Sequence, residues 1–271
     1  MKRAVTAFTF GALGAWLAAC TPGAVSDPVG EALAEELAPA ADAIMARGFQ
    51  GVAVGEVHGQ RDGVALMQAL VERAREAGQP VVVLIEAAPV EVGLPPDTDW
   101  RRFQAVDMTA PDLPLWTTNT DKRATVELRE ALLELRGDPG VEVSYLMGQP
   151  PSKYPNGIKA HGLAEQWHTA RQARPEHFIV GLMGNYHSRV ATDYPLEVTN
   201  SLCRYLEEAH GYTPLCLRVS KHQPNNVPCP PGVQARVVAG ADIGEPWPLV
   251  VERLDGCTRA ARWVEAPLAT R

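Results

Sequence analysis

Apolar residues gather in short runs separated by stretches of helical periodicity. Val52-Ala53-Val54 closes a first strand that begins near residue 50, and Val81 to Ile85 forms a second run without polar interruption. Val141 to Leu146, Phe178 to Gly184 and Leu215 to Val219 follow at similar lengths. The second run, without alternation, fits a strand covered on both faces, as in parallel sheets. Between the runs the spacing turns helical, at Met67, Leu70, Val71 and Ala74, then at Leu128, Ala131, Leu132 and Leu135. It does so again at Leu163, Trp167 and Ala170, and at Val198, Leu202, Tyr205, Leu206 and Ala209. Gly78 with Pro80, Gly137 and Gly211 are placed to stop three of these helices, and Asp121 to cap one at its start. An Ala- and Glu-rich segment over 30–47 adds a helix before the first strand.

The first strand, its helix and the second strand make a βαβ unit, which implies a parallel pair. Val237-Val238 and Leu249 to Val251 are expected as two short strands, antiparallel at the sheet edge. The fold class is therefore α/β, a mainly parallel central sheet flanked by helices, in a single domain over 31–271. Residues 88–120 interrupt the rhythm with five prolines (89, 95, 96, 111 and 114) and the apolar anchors Trp100, Phe103, Leu115 and Trp116. That insertion leaves the sheet just after Glu86 and reads either as an ordered flap over a substrate or as a surface wrap.

The start of the chain belongs to targeting rather than to the fold. Lys2 and Arg3 precede an apolar stretch from Ala4 to Ala19, and Leu17-Ala18-Ala19-Cys20 is similar to a lipoprotein cleavage site. The stretch is shorter than the roughly 20 residues that span a bilayer. A lipoprotein signal peptide over 1–19 implies acylation of Cys20, a Pro- and Gly-containing tether over 20–30, and a bacterial envelope location. The lipid would be the only membrane anchor, facing the periplasm, with the outer membrane favoured. Cleavage also removes two basic and no acidic residues, taking the formal charge from −7 to −9. An acidic chain without a basic cluster argues against nucleic acid as a partner. Beyond Cys20, four cysteines remain, Cys203, Cys216, Cys229 and Cys257, an even number that fits two disulfides in one of three pairings bracing the C-terminal region.

Candidate chemistry collects where the strands end. Glu56 and His58 follow the first run, Glu86 the second, and Asn185 and His187 the fourth. Parallel strands point one way, so these groups are expected on one rim, at the carboxyl edge where α/β proteins bind ligands. A rim site of this kind adds little to the core. Two histidines and two carboxylates permit His58 or His187 to act as a general base on water, with the glutamates orienting the imidazoles. They equally permit Glu56, His58, Glu86 and His187 to hold a divalent zinc, manganese or iron. The chain has no Gly-x-Ser-x-Gly elbow, P-loop or dinucleotide-binding glycine fingerprint. Lys153 and Tyr154 in a Pro-rich loop, and His222 after the fifth strand, are outlying candidates. His161 and His168, two turns apart, read as a solvated helix face.

Gly55-Glu56-Val57-His58, Glu86 at a strand end and Gly184-Asn185-Tyr186-His187 together resemble the EreA/ChaN superfamily. That group takes in erythromycin esterases, TIKI- and TraB-type proteins, and ChaN haem-binding lipoproteins. Trp116 followed by Asp121-Lys122-Arg123 is similar to a landmark of the ChaN-like branch. The resemblance covers roughly residues 50–190. It implies a hydrolase acting on a small-molecule or peptide substrate, through His/Glu general-base chemistry in the esterase-like branch or a metal in the TIKI-like branch. Its ChaN-like branch implies instead a haem- or iron-binding lipoprotein, with Tyr154, Tyr186 and His187 as haem ligands.

Overall fold

A computed structural model describes residues 28–56, 58, 61–87, 125–147, 156–189, 201–219, 235–239 and 249–253. The signal peptide with Cys20, the 88–120 insertion with the Trp116 and Asp121–Arg123 landmark, Lys153, Tyr154, His222, Cys229 and Cys257 lie outside the described residues.

Seven strands form one sheet: β1 (Gly51–Glu56), β2 (Val81–Ala87), β3 (Val141–Met147), β4 (Phe178–Gly184), β5 (Leu215–Val219), β6 (Ala235–Ala239) and β7 (Leu249–Arg253). Their order is β3-β2-β4-β1-β5-β7-β6, and every neighbouring pair is parallel except β6 with β7. The α/β class, the mainly parallel sheet and the antiparallel edge pair are as the sequence pattern implies. The first βαβ unit differs in one respect. β1 and β2 run the same way but are not partners, because β4 inserts between them. A strand distant in sequence thus brings its end between those of the first two.

Alternate side chains divide the core in two. Val52, Val54, Val81, Val83, Ile85, Val180 and Leu182 pack under α1 (Pro28–Met45), α2 (Arg61–Glu76) and α3 (Val126–Gly137). Ala53, Val82, Leu84, Ile179 and Met183 pack on the other face, under α4 (Asn156–Ala173) and α6 (Leu202–His210). α5 (Asn185–Ser188) is a single turn directly after β4. The first helix begins at Pro28, taking the last residues of the expected tether into the fold; proline suits a first helical turn, where the amide has no partner to lose. Thr125, not Asp121, caps α3, its side chain accepting from the Leu128 amide at 3.2 Å. Gly211, with φ 72°, ends α6 in the left-handed region, as its sequence position implies. Ala209, placed on the buried face of that helix by spacing, is exposed in its last turn.

Cys203 on α6 and Cys216 on β5 form a disulfide, with Cα atoms 6.4 Å apart. This bridge belongs to one of the three possible pairings, and Cys229 and Cys257 lie outside the described residues. The bridge reaches closer to the rim than its position in the last third of the chain implied. Cys203 Sγ lies 3.9 Å from the Ser188 carbonyl, at the end of the turn that carries His187, and Cys216 is registered beside Ala53 of β1. On the opposite face the ion pair of Arg61 with Glu127, at 2.5 Å and largely buried, joins the first turns of α2 and α3 at the carboxyl edge. Arg75 with Asp138 at 3.2 Å joins their other ends.

Candidate functional site

The first strand, expected to close at Val54, continues through Gly55 to Glu56. Gly55 pairs with Met183 and Arg218, and Glu56 closes β1 opposite Gly184. Gly55 is needed there for space, since an added Cβ would overlap the Ser188 hydroxyl and stand 3.0 Å from Asn185 Cα. The α5 turn can therefore lie across the end of β1, which fixes where the chain carrying Asn185 and His187 goes. Ser188 helps to close that turn, its hydroxyl donating to the Asn185 carbonyl at 3.2 Å.

Glu56 continues the side of β1 that carries Val52 and Val54, beneath α2, and is 5% exposed. A Cβ at Gly63 would come within 2.8 Å of the Glu56 Cβ, so α2 closes directly over this side chain. Its Oε1 lies 2.9 Å from His58 Nδ1. The His58 side chain is 30% exposed, an imidazole at the surface held by a carboxylate that is not. Glu86 continues the other side of the sheet, after Val82 and Leu84, and is 3% exposed. Its Oε2 accepts from the Gly184 amide at 2.8 Å, and its Oε1 faces His187 Nε2 at 3.6 Å, ion-pair range but too long for a hydrogen bond. The two acid–imidazole pairs meet at Gly184. From a Cβ built there, His58 Nε2 is 3.1 Å away and Glu86 Oε2 3.6 Å.

Glu56, His58, Glu86 and His187 thus share one rim, although they span more than a hundred residues of sequence and start from opposite faces of the sheet. Asn185 is half-buried at the same place. The neighbouring carboxylate Glu86 is held by a backbone group, the Gly184 amide. One correction concerns burial. Glu56, Glu86 and His187 are nearly closed from solvent and make part of the core's upper layer, and His58 is the partly exposed member. The part played by Gly55, Gly63 and Gly184 escaped sequence reasoning. Small residues at strand ends and in the next helix's first turn are the signal that would have found it.

The donors do not form the expected zinc, manganese or iron cage. Each imidazole is turned to its own carboxylate, and the second oxygen of Glu86 is engaged by a backbone amide. Among the described residues, no three His, Cys, Asp or Glu side chains are arranged to hold a metal ion. The haem alternative rests on three residues, of which one side chain is described. The His187 side chain is only 10% exposed, and of the other two expected ligands Tyr154 is outside the described residues, as is the side chain of Tyr186.

Of the two α4 histidines read as a solvated face, His161 is exposed and His168 is half-buried. His168 stacks on His210 of α6 with ring centroids 3.6 Å apart, and its Nδ1 is 3.2 Å from the Tyr212 hydroxyl. Spacing along α4 alone could not reveal a partner supplied by another helix.

The chain matches no family model, no curated protein and no solved structure. No helix among the described residues is long and apolar enough to cross a membrane.

Proposed function

We propose that this chain is a hydrolase that activates water with His58, in an envelope protein held to the membrane by acylated Cys20. The observation that carries the reading is the His58–Glu56 pair at 2.9 Å, partly exposed imidazole on buried carboxylate, meeting a second such pair at Gly184. A carboxylate accepting from Nδ1–H leaves the lone pair on Nε2, the nitrogen on the Gly184 side. His58 then takes a proton from water as the oxygen attacks an electrophilic centre of a small-molecule or peptide substrate. Glu56 stabilises the imidazolium that forms, and the proton passes on to the leaving group. Glu86 holds Gly184 and faces His187, so the second pair sets the shape and charge of the opposite wall. Asn185, at the same turn, is the group available to orient the substrate. The order of the motif residues, which resembles the esterase-like members of the EreA/ChaN superfamily, supports the same reading.

The test is a panel of esters, lactones and peptides offered to the purified protein and to His58→Ala. The variant should lose about 10²–10⁴-fold in kcat on whichever substrate is cleaved. Its melting temperature should stay close to that of the parent, because the side chain removed is partly exposed. Undiminished hydrolysis in His58→Ala would remove His58 as the base.

The anchor has its own test. Cys20→Ser should release the protein from membrane fractions, because without acylation the chain lacks the two or more lipid chains that stable anchoring takes. Retention of the variant on membranes would refute lipidation at Cys20.

A further inference from the structure

Away from the Glu/His rim, α4 and α6 meet through a ladder of rings. His161 stacks on Tyr205 with centroids 5.0 Å apart at 10°, and His168 stacks on His210 at 3.6 Å and 6°. Among the described residues, Glu165 is the carboxylate within the ladder. Its Oε1 lies 3.1 Å from His210 Nε2 and 3.4 Å from His161 Nε2. Arg171 stands over the Tyr212 ring at 5.0 Å, and the Tyr212 hydroxyl meets His168 Nδ1 at 3.2 Å. Arg171 also bonds Gln50, and Glu207 is exposed on α6. Arg204 pairs with Glu208 at 2.6 Å on the exposed side of α6, and Arg174, at the end of α4, pairs with Glu142 of β3.

We propose that the His168–His210 stack is an acid-sensitive latch, holding the C-terminal turn of α6 to α4 at neutral pH and releasing it when both rings carry a proton. Two imidazolium rings at van der Waals separation repel, and among the described residues a single carboxylate, Glu165, is at hand to offset two added charges. Burial lowers the pKa of His168, helped by His210 and Arg171 and opposed by Glu165. Burial also pushes the Tyr212 phenol up to about 12, so it remains a neutral partner for His168 throughout the range in question. The sign follows from the depressed imidazole. The folded state binds fewer protons than the unfolded one, so the latch's stability is fully present above the ordinary histidine value of about 6.5 and is lost as pH falls through the folded value.

Release is confined to one end of the helix. The start of α6 is stapled to β5 by Cys203–Cys216, so the freed part is the stretch around His210 and Gly211, whose amide donates to the Glu207 carbonyl at 3.0 Å. Hydrogen exchange on the intact protein reads this directly. Between pH 7.5 and 5.5, after correction for intrinsic chemistry, amides of 208–212 should lose about tenfold in protection. Amides of α2 serve as the reference and should not change. In His168→Phe, which keeps a stacking ring without a titratable nitrogen, the loss should disappear, and likewise in His210→Phe. Equal loss in the parent and both variants, or a flat profile in the parent, would overturn the latch.

Discussion

Glu56→Gln should lower kcat by about 10³-fold with little effect on KM or on the melting temperature. In the proposed mechanism the carboxylate's role is electronic as well as positional. As an acceptor-only group at 2.9 Å it holds the Nδ1–H tautomer of His58 and leaves Nε2 as the base. Glutamine has the same shape and fits the same space beneath α2, but its amide can donate to Nδ1. That reverses the tautomer, puts the hydrogen on Nε2 and removes the negative charge that stabilises the imidazolium. General-base catalysis contributes about 10²–10⁴-fold, and the wrong tautomer forfeits most of it. The measurement is kcat and KM on a substrate cleaved by the parent, with a thermal scan to show that the fold is kept. A variant within tenfold of the parent kcat would mean that Glu56 only packs under α2, and the proposed mechanism would lose its orienting group.

The members of this site were legible in the sequence because parallel strands force their ends onto one rim. Any ionisable residue placed just after a continuous apolar run must arrive there, whatever its number in the chain. The arrangement of those members was not legible. That β4 would run between β1 and β2, and so deliver Gly184 as the common neighbour of both pairs, depends on strand order. Apolar runs of equal length and similar composition do not encode that order locally. Nor did periodicity show that Gly55 still belongs to β1. Its identity follows from the Ser188 hydroxyl pressing on it from a turn more than a hundred residues later. The contacts of His168 were hidden for the same reason, since its partners His210 and Tyr212 come from α6 and the segment after it. Local patterns set the elements, and contacts between distant elements set the roles.

Trp167→Ala should be the most destabilising single change among the described core residues, at about 3–5 kcal/mol. Trp167 was readable as an α4 core residue from its spacing with Leu163 and Ala170, and it is 1% exposed. Its ring lies directly on the sheet, over a bare patch made by two glycines on adjacent strands. A Cβ at Gly51 would come 3.2 Å from its Cζ2, and one at Gly181 3.1 Å from its Cη2. Truncation leaves a cavity with backbone as its floor, and strands paired on both sides cannot rise to fill it. Gly181→Ala alone should also destabilise, by about 1–3 kcal/mol, because the added methyl has nowhere to go beneath the indole. The two changes should therefore not add. In the Trp167→Ala background the Gly181 methyl enters the vacated space and its cost should vanish or reverse, giving a coupling energy of about 1 kcal/mol or more in a denaturant-based double-mutant cycle. Strict additivity would show that the sheet at Gly181 is crowded by something other than the ring, and that α4 is not seated on β1 and β4 through Trp167.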